Sequence, residues 1–305
     1  MKLPAALQSR LLPDQSLARF TAARLGGNAD WLFIAKELDD LVDVVSAAWN
    51  EGLPVRVLGG GANVLVSDKG VRGLVVINNV STIEFGNWHD DDGCKRNVSA
   101  TSGVGLTVLA RKCAAHGLSG MEWAVSVPGT IGGAVVNNAG AHGGDMATSI
   151  CDIVVLDAQK GPQILSKTEL EYGYRTSTLK ARTDRRFLVL MATLALHPAP
   201  NAEIEARMNE FIAYRKKTQP PGASLGSIFK NPPGDFAGRL IESCGLKGHT
   251  IGAVQVSPLH ANWFINSGAA SASDYAALVR YVQARVLEHT GVALETEIEL
   301  IGDWD

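Results

Sequence analysis

An excess of charge of either sign is lacking: 28 Lys and Arg stand against 31 Asp and Glu, a formal net charge of −3. That excludes the strong positive field of a generic nucleic-acid binder, so no nucleic-acid partner is expected. Long apolar runs are missing too. The longest is Phe187–Leu196, against the ~20 residues that span a bilayer, so no membrane span is expected. The opening residues MKLPAALQSRLLPDQ lack the apolar core of a secretion signal. Cysteine is sparse: Cys94, Cys113, Cys151 and Cys244 are scattered and form no CxxC pair. Neither a disulfide framework nor a metal site is expected, and the four read as free thiols of a reducing cytoplasm. Internal repeats and low-complexity tracts are absent as well. With 46% hydrophobic and 19% charged residues the chain is globular, and its length of 305 residues suggests about two domains.

What is abundant is glycine, 32 residues, and it clusters. Around the clusters the elements are readable. Leu38, Leu41, Val42 and Val45 give Glu37–Asn50 one apolar helical face. Val55–Leu58 reads as a strand running into three glycines and then a second strand, and Leu74–Ile77 reads as a third. The polar, acidic segment Asn87–Arg96 reads as an exposed hairpin tip. Leu106, Leu109, Ala110 and Cys113 mark a second helix with Gly117 at its C-terminal end. Ile153–Leu156 and Phe187–Leu196 are strands. Ile204, Met208, Phe211 and Ile212 mark a helix ending in Arg215-Lys216-Lys217. Thr218–Gly226, with Pro220, Pro221 and Gly222, is a linker or shaped loop. The last helix is expected over Asp274–His289 with Ser273 as N-cap. Strands and helices alternate irregularly, which favours α+β over a doubly wound parallel sheet.

Two stretches point to chemistry. Gly59-Gly60-Gly61-Ala62-Asn63 lies between apolar runs, where glycines let successive backbone N–H groups approach an anion such as a diphosphate. A tight turn is the competing reading. No Gly-Lys-Ser/Thr follows, and Val64 stands where GxGxxG needs its last glycine, so neither a Walker A loop nor an ordinary Rossmann site is present. The second stretch, Val127–Gly144, is uncharged, with glycines at 129, 132, 133, 140, 143 and 144 and Asn137 and Asn138 between. Two such loops in one chain favour an extended ligand lying against backbone. Arg175 in YGYRTS, Ser227 in GSIFKNP and Glu297 in LETEIELIG are the polar residues of interest. Taken singly they read as a surface arginine, a turn serine and a strand-end glutamate.

At these motifs the sequence resembles the UDP-N-acetylenolpyruvoylglucosamine reductase family. TAARLGGNADW, VLGGGANVLVSDKGVRGLVV, VPGTIGGAVVNNAGAHGG, YGYRTS, GSIFKNP, AGRLIESCGLKG, VSPLHANWFIN and LETEIELIG fall in the family's order from about Thr21 to Gly302. The resemblance implies an α+β chain with a two-subdomain FAD-binding fold of the vanillyl-alcohol-oxidase type (residues 1–80 and 81–200) and a C-terminal α+β substrate domain (residues 201–305). It implies non-covalent FAD held by Gly59, Gly60, Gly61, Ala62, Asn63 and Val64 and by Pro128, Gly129, Thr130, Gly132, Gly133, Asn137, Ala139 and Gly140. It implies NADPH as co-substrate and a UDP-sugar as substrate, reduced from enolpyruvyl to lactyl ether in peptidoglycan precursor synthesis. Hydride addition beside a carboxylate needs positive charge at the developing oxyanion and a proton for the adjacent carbon. Arg175 matches the family position for the first, Ser227 the proton donor, and Glu297 the third catalytic position. A serine needs neighbouring donors to act as an acid, and Lys230 and Asn231 in the same FKN turn are candidates; Tyr174 and the basic run Arg215–Lys217, Lys217 among them, are candidates to grip the substrate carboxylate or diphosphate.

The chain departs from the family in Ala62 for serine, Thr296 for proline and Trp263 for phenylalanine. The short separation of Arg175 and Arg215 leaves little room for a tyrosine-bearing insertion and places the chain with the shorter members. A flavin oxidase is one rival reading, but Arg56–Asp68 holds neither the His nor the Cys that would attach FAD covalently. A non-catalytic nucleotide-binding module is the other, and the presence of Ser227 and Glu297 speaks against it.

Overall fold

The computed structural model describes residues 8–89 and 95–304. The chain divides into two compact units, and it passes between them several times. The first comprises residues 8–10, 33–60, 76–89 and 95–215; the second, 11–32, 61–75 and 216–304. No helix among the described residues is long and apolar enough to cross a membrane.

The first unit is built on an antiparallel sheet. Its strands run in the order Gly161–Ser166, Ile150–Asp157, Phe187–Pro198, Lys95–Thr101 and Ile83–His89, with the short strand Leu118–Ser119 also pairing with the end of Phe187–Pro198. In the long strand Leu190, Ala192, Leu194 and Leu196 are buried while Met191, Thr193 and Ala195 are less so, the two-residue period of a sheet with one face on a core. That core takes in Leu109 and Cys113 from the helix Leu106–Ala115, Ile131 and Val135 from Ile131–Asn137, and Ile204 and Met208 from Asn201–Thr218. Gly117, φ 65°, follows the C-cap residue His116. The expected hairpin is present as the pair Ile83–His89 and Lys95–Thr101; its tip and Cys94 lie outside the described residues. The helix Leu38–Asn50 buries Leu41, Val44, Val45, Ala48 and Trp49. The expected stripe was one position off, because Val44 and Trp49, and not Val42, complete it.

In the second unit Leu12–Ser16 pairs with Asn28–Ala35, and Thr250–Ile251, Val254–Val256 and Phe264–Asn266 form a small antiparallel sheet. Val64–Val66 pairs in parallel with Glu299–Ile301, Leu65 opposite Leu300. The core is organised by the helix Ala272–Thr290, whose Tyr275, Leu278, Val279, Val282 and Val286 are buried with Ile228, Phe229, Leu240 and Phe264. Its N-cap is Ser271, not the expected Ser273. Ser271 and Asp274 form a reciprocal capping box, and the Ser273 hydroxyl donates to Asp68 instead. Asp68 also accepts the N–H groups of Ala272 and Ser273, both at 2.8 Å. Burial opposes ionisation there, but these bonds outweigh it and hold the carboxyl below its ordinary range.

Candidate active site

In the first unit the two glycine-rich stretches lie against each other. A Cβ on Gly59 would fall 2.1 Å from Thr130 Oγ1, and one on Gly60 would fall 3.1 Å from Gly129 Cα. A side chain on Gly59 would displace Thr130, and one on Gly60 would press on the Gly129 backbone. The second stretch is pinned from behind: Leu106 N–H donates to Gly129 O (3.1 Å), Ile131 N–H to Val104 O (2.9 Å) and Gly132 N–H to Ser102 O (2.8 Å). Gly133 meets no protein atom within 4 Å of where a Cβ would be. Asn137 Nδ2 donates to Gly133 O.

Asn138, left-handed at φ 44° and buried, ties this stretch to the Arg175 turn. Its Nδ2 donates to Gly173 O (2.9 Å) and Asp145 Oδ2 (3.2 Å), and its Oδ1 accepts Ala147 N–H (3.0 Å). Arg175, at φ 57°, sends Nη2 to Gly140 O (2.8 Å) and Nη1 to Asn138 O (3.4 Å), with its guanidinium 5.3 Å from the Tyr174 ring centroid. Tyr174 itself is exposed. Around this loop four buried polar atoms have no hydrogen-bond partner: Trp123 Nε1, Ser126 Oγ, His142 Nε2 and Tyr172 OH. His142 stacks on Phe211 (4.3 Å); burial, then the Arg215 charge, push its pKa down. Burial and the Asp145 charge push the Tyr172 phenol up.

In the second unit Gly61 has φ 57°, and a Cβ there would lie 2.0 Å from Phe20 O, so this position admits only glycine. Asn63 Nδ2 donates to Glu297 O (3.0 Å) and Asn63 O accepts Glu299 N–H (2.9 Å). The loop after the glycines is thereby joined to the Glu297 segment. On the other side of that segment, Glu297 N–H donates to Ile228 O (2.8 Å) and Lys230 N–H to Glu295 O (2.9 Å). Ser227 and Glu297 thus sit on adjoining extended segments. Lys230 Nζ is ion-paired with Glu295. Asn231 Oδ1 accepts Ala237 N–H (3.1 Å), capping the helix Ala237–Ser243. Lys217 is exposed on the last turn of Asn201–Thr218. The sequence-expected residues therefore fall in two groups. Gly59, Gly60, Pro128 to Gly140, Tyr174 and Arg175 belong to the first unit, and Gly61, Ala62, Asn63, Val64, Lys217, Ser227, Lys230, Asn231 and Glu297 to the second.

The donor chemistry fits a dinucleotide with a pyrophosphate. Among the described hydrogen bonds, none is donated to a protein acceptor by the N–H of Gly60, Gly61, Ala62, Asn63, Gly129, Thr130 or Gly133. Buried hydroxyl, indole and imidazole groups without partners cost roughly 1–3 kcal/mol each unless a ligand satisfies them. These groups escaped sequence reading because a tryptophan or tyrosine in an apolar stretch reads as core.

These features define an α+β FAD-binding protein. In agreement, residues 29–156 match the family described as "FAD binding domain", and residues 217–301 match "UDP-N-acetylenolpyruvoylglucosamine reductase, C-terminal domain". The UDP-N-acetylenolpyruvoylglucosamine reductase of a Synechococcus sp. is 41% identical over 291 residues, covering 94% of this chain and 91% of its own. That of Listeria welshimeri is 38% identical, covering 95% of each. The crystal structure of the Thermus caldophilus reductase superposes with a TM-score of 0.79 at 34% identity, covering 96% of this chain and 99% of its own. The chain belongs to the UDP-N-acetylenolpyruvoylglucosamine reductase family.

Proposed function

We propose that this chain is an NADPH-dependent, FAD-containing oxidoreductase that reduces the enolpyruvyl ether of UDP-N-acetylglucosamine to the lactyl ether of UDP-N-acetylmuramate, a step of peptidoglycan precursor synthesis. Within the family, the observation that carries the reading is the pairing of the Ser227 and Glu297 segments through Ile228 O and Glu297 N–H. When bound, FAD supplies the hydride, received from NADPH, that the terminal alkene carbon takes up. The residues from Gly59 to Val64 and from Pro128 to Gly140 hold it, through backbone donors and without a covalent bond.

The chain's own work is then protonation and charge. Hydride addition at the terminal carbon leaves negative charge on the adjacent carbon and its carboxylate. Ser227 Oγ gives that carbon its proton, and Lys230 and Asn231 lie close in sequence to support the alkoxide. Arg175 aims its guanidinium at the carboxylate oxygens, held for the task by the carbonyls of Asn138 and Gly140. Glu297 completes the set on the proton path. Tyr174 and Lys217 grip the carboxylate or diphosphate of the UDP-sugar. The division into FAD-binding parts at 1–80 and 81–200 and a substrate part at 201–305 belongs to the same proposal, as do a cytoplasmic location and a place in cell wall biogenesis, cell shape and cell division.

The test is NADPH oxidation by purified yellow protein with and without the enolpyruvyl sugar nucleotide. Consumption that requires the sugar nucleotide and yields the lactyl ether is expected. Consumption of oxygen with peroxide release, indifferent to the sugar nucleotide, would establish an oxidase instead.

A further inference from the structure

The backbone around Ser227 is held by a buried residue outside the proposed catalytic set. Asn262 is buried, 3% exposed. Its Oδ1 accepts Phe229 N–H at 2.9 Å, and its Nδ2 donates to Phe229 O at 2.8 Å. Its own backbone O accepts Ile228 N–H at 2.9 Å, and the next residue, Trp263, forms an isolated bridge with Ser227. From the opposite side, Glu297 N–H and Glu295 O take Ile228 O and Lys230 N–H. Ile228 and Phe229 therefore have both backbone polar groups fixed, half of them by one side-chain amide acting as a strand partner. A primary amide is the smallest group that offers a donor and an acceptor in the fork this requires.

We infer that Asn262 is a positioning residue for the substrate half-reaction: its amide sets the place of Ser227 against Glu297. The inference rests on the proposed role of Ser227. With both amide atoms engaged by Phe229 and almost no exposed surface, Asn262 acts through the backbone and not by touching substrate. Phe229 lies two residues from Ser227, so a displaced Phe229 peptide shifts Ser227 through Ile228. Displacements of about 1 Å at a reacting group cost on the order of 10²-fold in rate. Flavin reduction by NADPH uses no proton from Ser227 and is indifferent to the clamp.

The experiment compares wild type, Asn262→Asp, Asn262→Ala, Ser227→Ala and the double variant Ser227→Ala/Asn262→Asp. Each is read as flavin-loaded protein in rapid mixing, so unfolded chains do not enter the rates. The isosteric Asn262→Asp keeps the acceptor for Phe229 N–H and loses the donor to Phe229 O, so it carries the test even where Asn262→Ala folds poorly. Expected for Asn262→Asp is a limiting rate of reoxidation by the enolpyruvyl substrate lower by ~10- to 10²-fold. Flavin reduction by NADPH and the half-saturating substrate concentration should stay within about 3-fold, a factor worth well under 1 kcal/mol. Hydrogen exchange in the peptide spanning 227–231 should rise. In the Ser227→Ala background Asn262→Asp should add almost nothing. Equal slowing of both half-reactions, no slowing, or a full additive loss in the double variant would each overturn the inference. If Ser227→Ala alone reoxidises at the wild-type rate, the role of Ser227 is what fails, and the positioning role falls with it. A slow Ser227→Ala beside a normal Asn262→Asp overturns the positioning role and leaves the function standing.

Discussion

Glu297 donates its backbone N–H to the carbonyl of Ile228 at 2.8 Å, so the residue next to Ser227 and the expected third catalytic residue share one hydrogen bond. The carbonyl of Glu297 is occupied as well, by Asn63 Nδ2 at 3.0 Å. The backbone of Glu297 is thus fixed on one side by the Ser227 segment and on the other by the loop that follows the three glycines. Side-chain substitutions at 227 and 297 leave both bonds in place, which makes them clean probes of chemistry.

Ser227→Ala should separate the two half-reactions. In the proposed role the serine serves the substrate and not NADPH, so NADPH should bleach the flavin of the variant at near the normal rate. Reoxidation by the enolpyruvyl substrate should slow by ~10²-fold or more, the scale of a lost general acid. Stopped-flow absorbance of each half-reaction checks this. Equal slowing of both would assign Ser227 a structural part only.

The glycine clusters were legible because close backbone approach leaves a compositional mark: a Cβ on Gly59 would overlap Thr130, and one on Gly60 would be tight against Gly129. Ser227, Arg175 and Glu297 were not legible from spacing, since nothing local distinguishes them from turn and surface residues; they came from the family resemblance. Trp123, Ser126, His142 and Tyr172 carried no signal at all. An unpaired buried polar atom is a property of tertiary surroundings, not of sequence. Asn262 was hidden for the same reason, as its partner Phe229 lies 33 positions away. The helix start was misplaced by two residues although Ser271 and Asp274 spell a capping box. Ser273 looks equally good as a cap until Asp68, 205 positions earlier, claims its hydroxyl.

Gly133→Ala should part cofactor binding from folding. Gly133 lies in the helix Ile131–Asn137, and an added methyl would meet no protein atom. Replacing glycine by alanine within a helix stabilises by up to ~1 kcal/mol, so the FAD-free variant should melt no lower than wild type. FAD packed against this stretch would meet the methyl, and its affinity should drop by ~10-fold or more, the factor that 1.4 kcal/mol makes. Fluorescence titration of FAD into protein stripped by acid ammonium sulfate measures it. The same acid treatment should release all flavin into the supernatant. Unchanged affinity would move the cofactor away from Gly133.

A pH-dependent contribution to stability is expected at Asp157. Its Oδ2 accepts Arg182 Nη1 at 2.6 Å, and its Oδ1 accepts the N–H groups of Gln159 (2.8 Å) and Lys160 (3.0 Å). Burial raises this carboxyl, but the bonds from Arg182, Gln159 and Lys160 together with the arginine charge bring it down to about 2. A carboxyl lower in the folded than in the unfolded chain stabilises above its unfolded pKa of roughly 4 and loses that contribution as pH falls toward 2. Asp157→Asn should therefore cost ~1–2 kcal/mol at neutral pH. The gap to wild type in denaturant midpoint should be constant from pH 7 to 5 and narrow below pH 4. A gap independent of pH would assign the loss to packing.

In the proposed mechanism Glu297 cannot stabilise an anion by its charge, so its part there would be to share a proton with the intermediate, to be protonated itself, or to orient Arg175. Arg175 is already oriented within its own unit, by Gly140 O at 2.8 Å and Asn138 O at 3.4 Å, which weakens the last option. Glu297→Gln then discriminates. An amide can orient and donate but cannot pass a proton. The variant should lose most of the substrate half-reaction, ~10²-fold or more, while flavin reduction by NADPH stays nearly intact. Arg175→Lys should show a different signature. A lysine keeps the charge but not the planar fork that engages two carbonyls. If, as proposed, the charge of Arg175 gains value as the oxyanion forms, the limiting rate should fall further than substrate binding weakens. Pre-steady-state reoxidation across a range of substrate concentrations reads both variants. Near wild-type reoxidation in Glu297→Gln would remove the proton-sharing role and leave Glu297 as a support for Arg175.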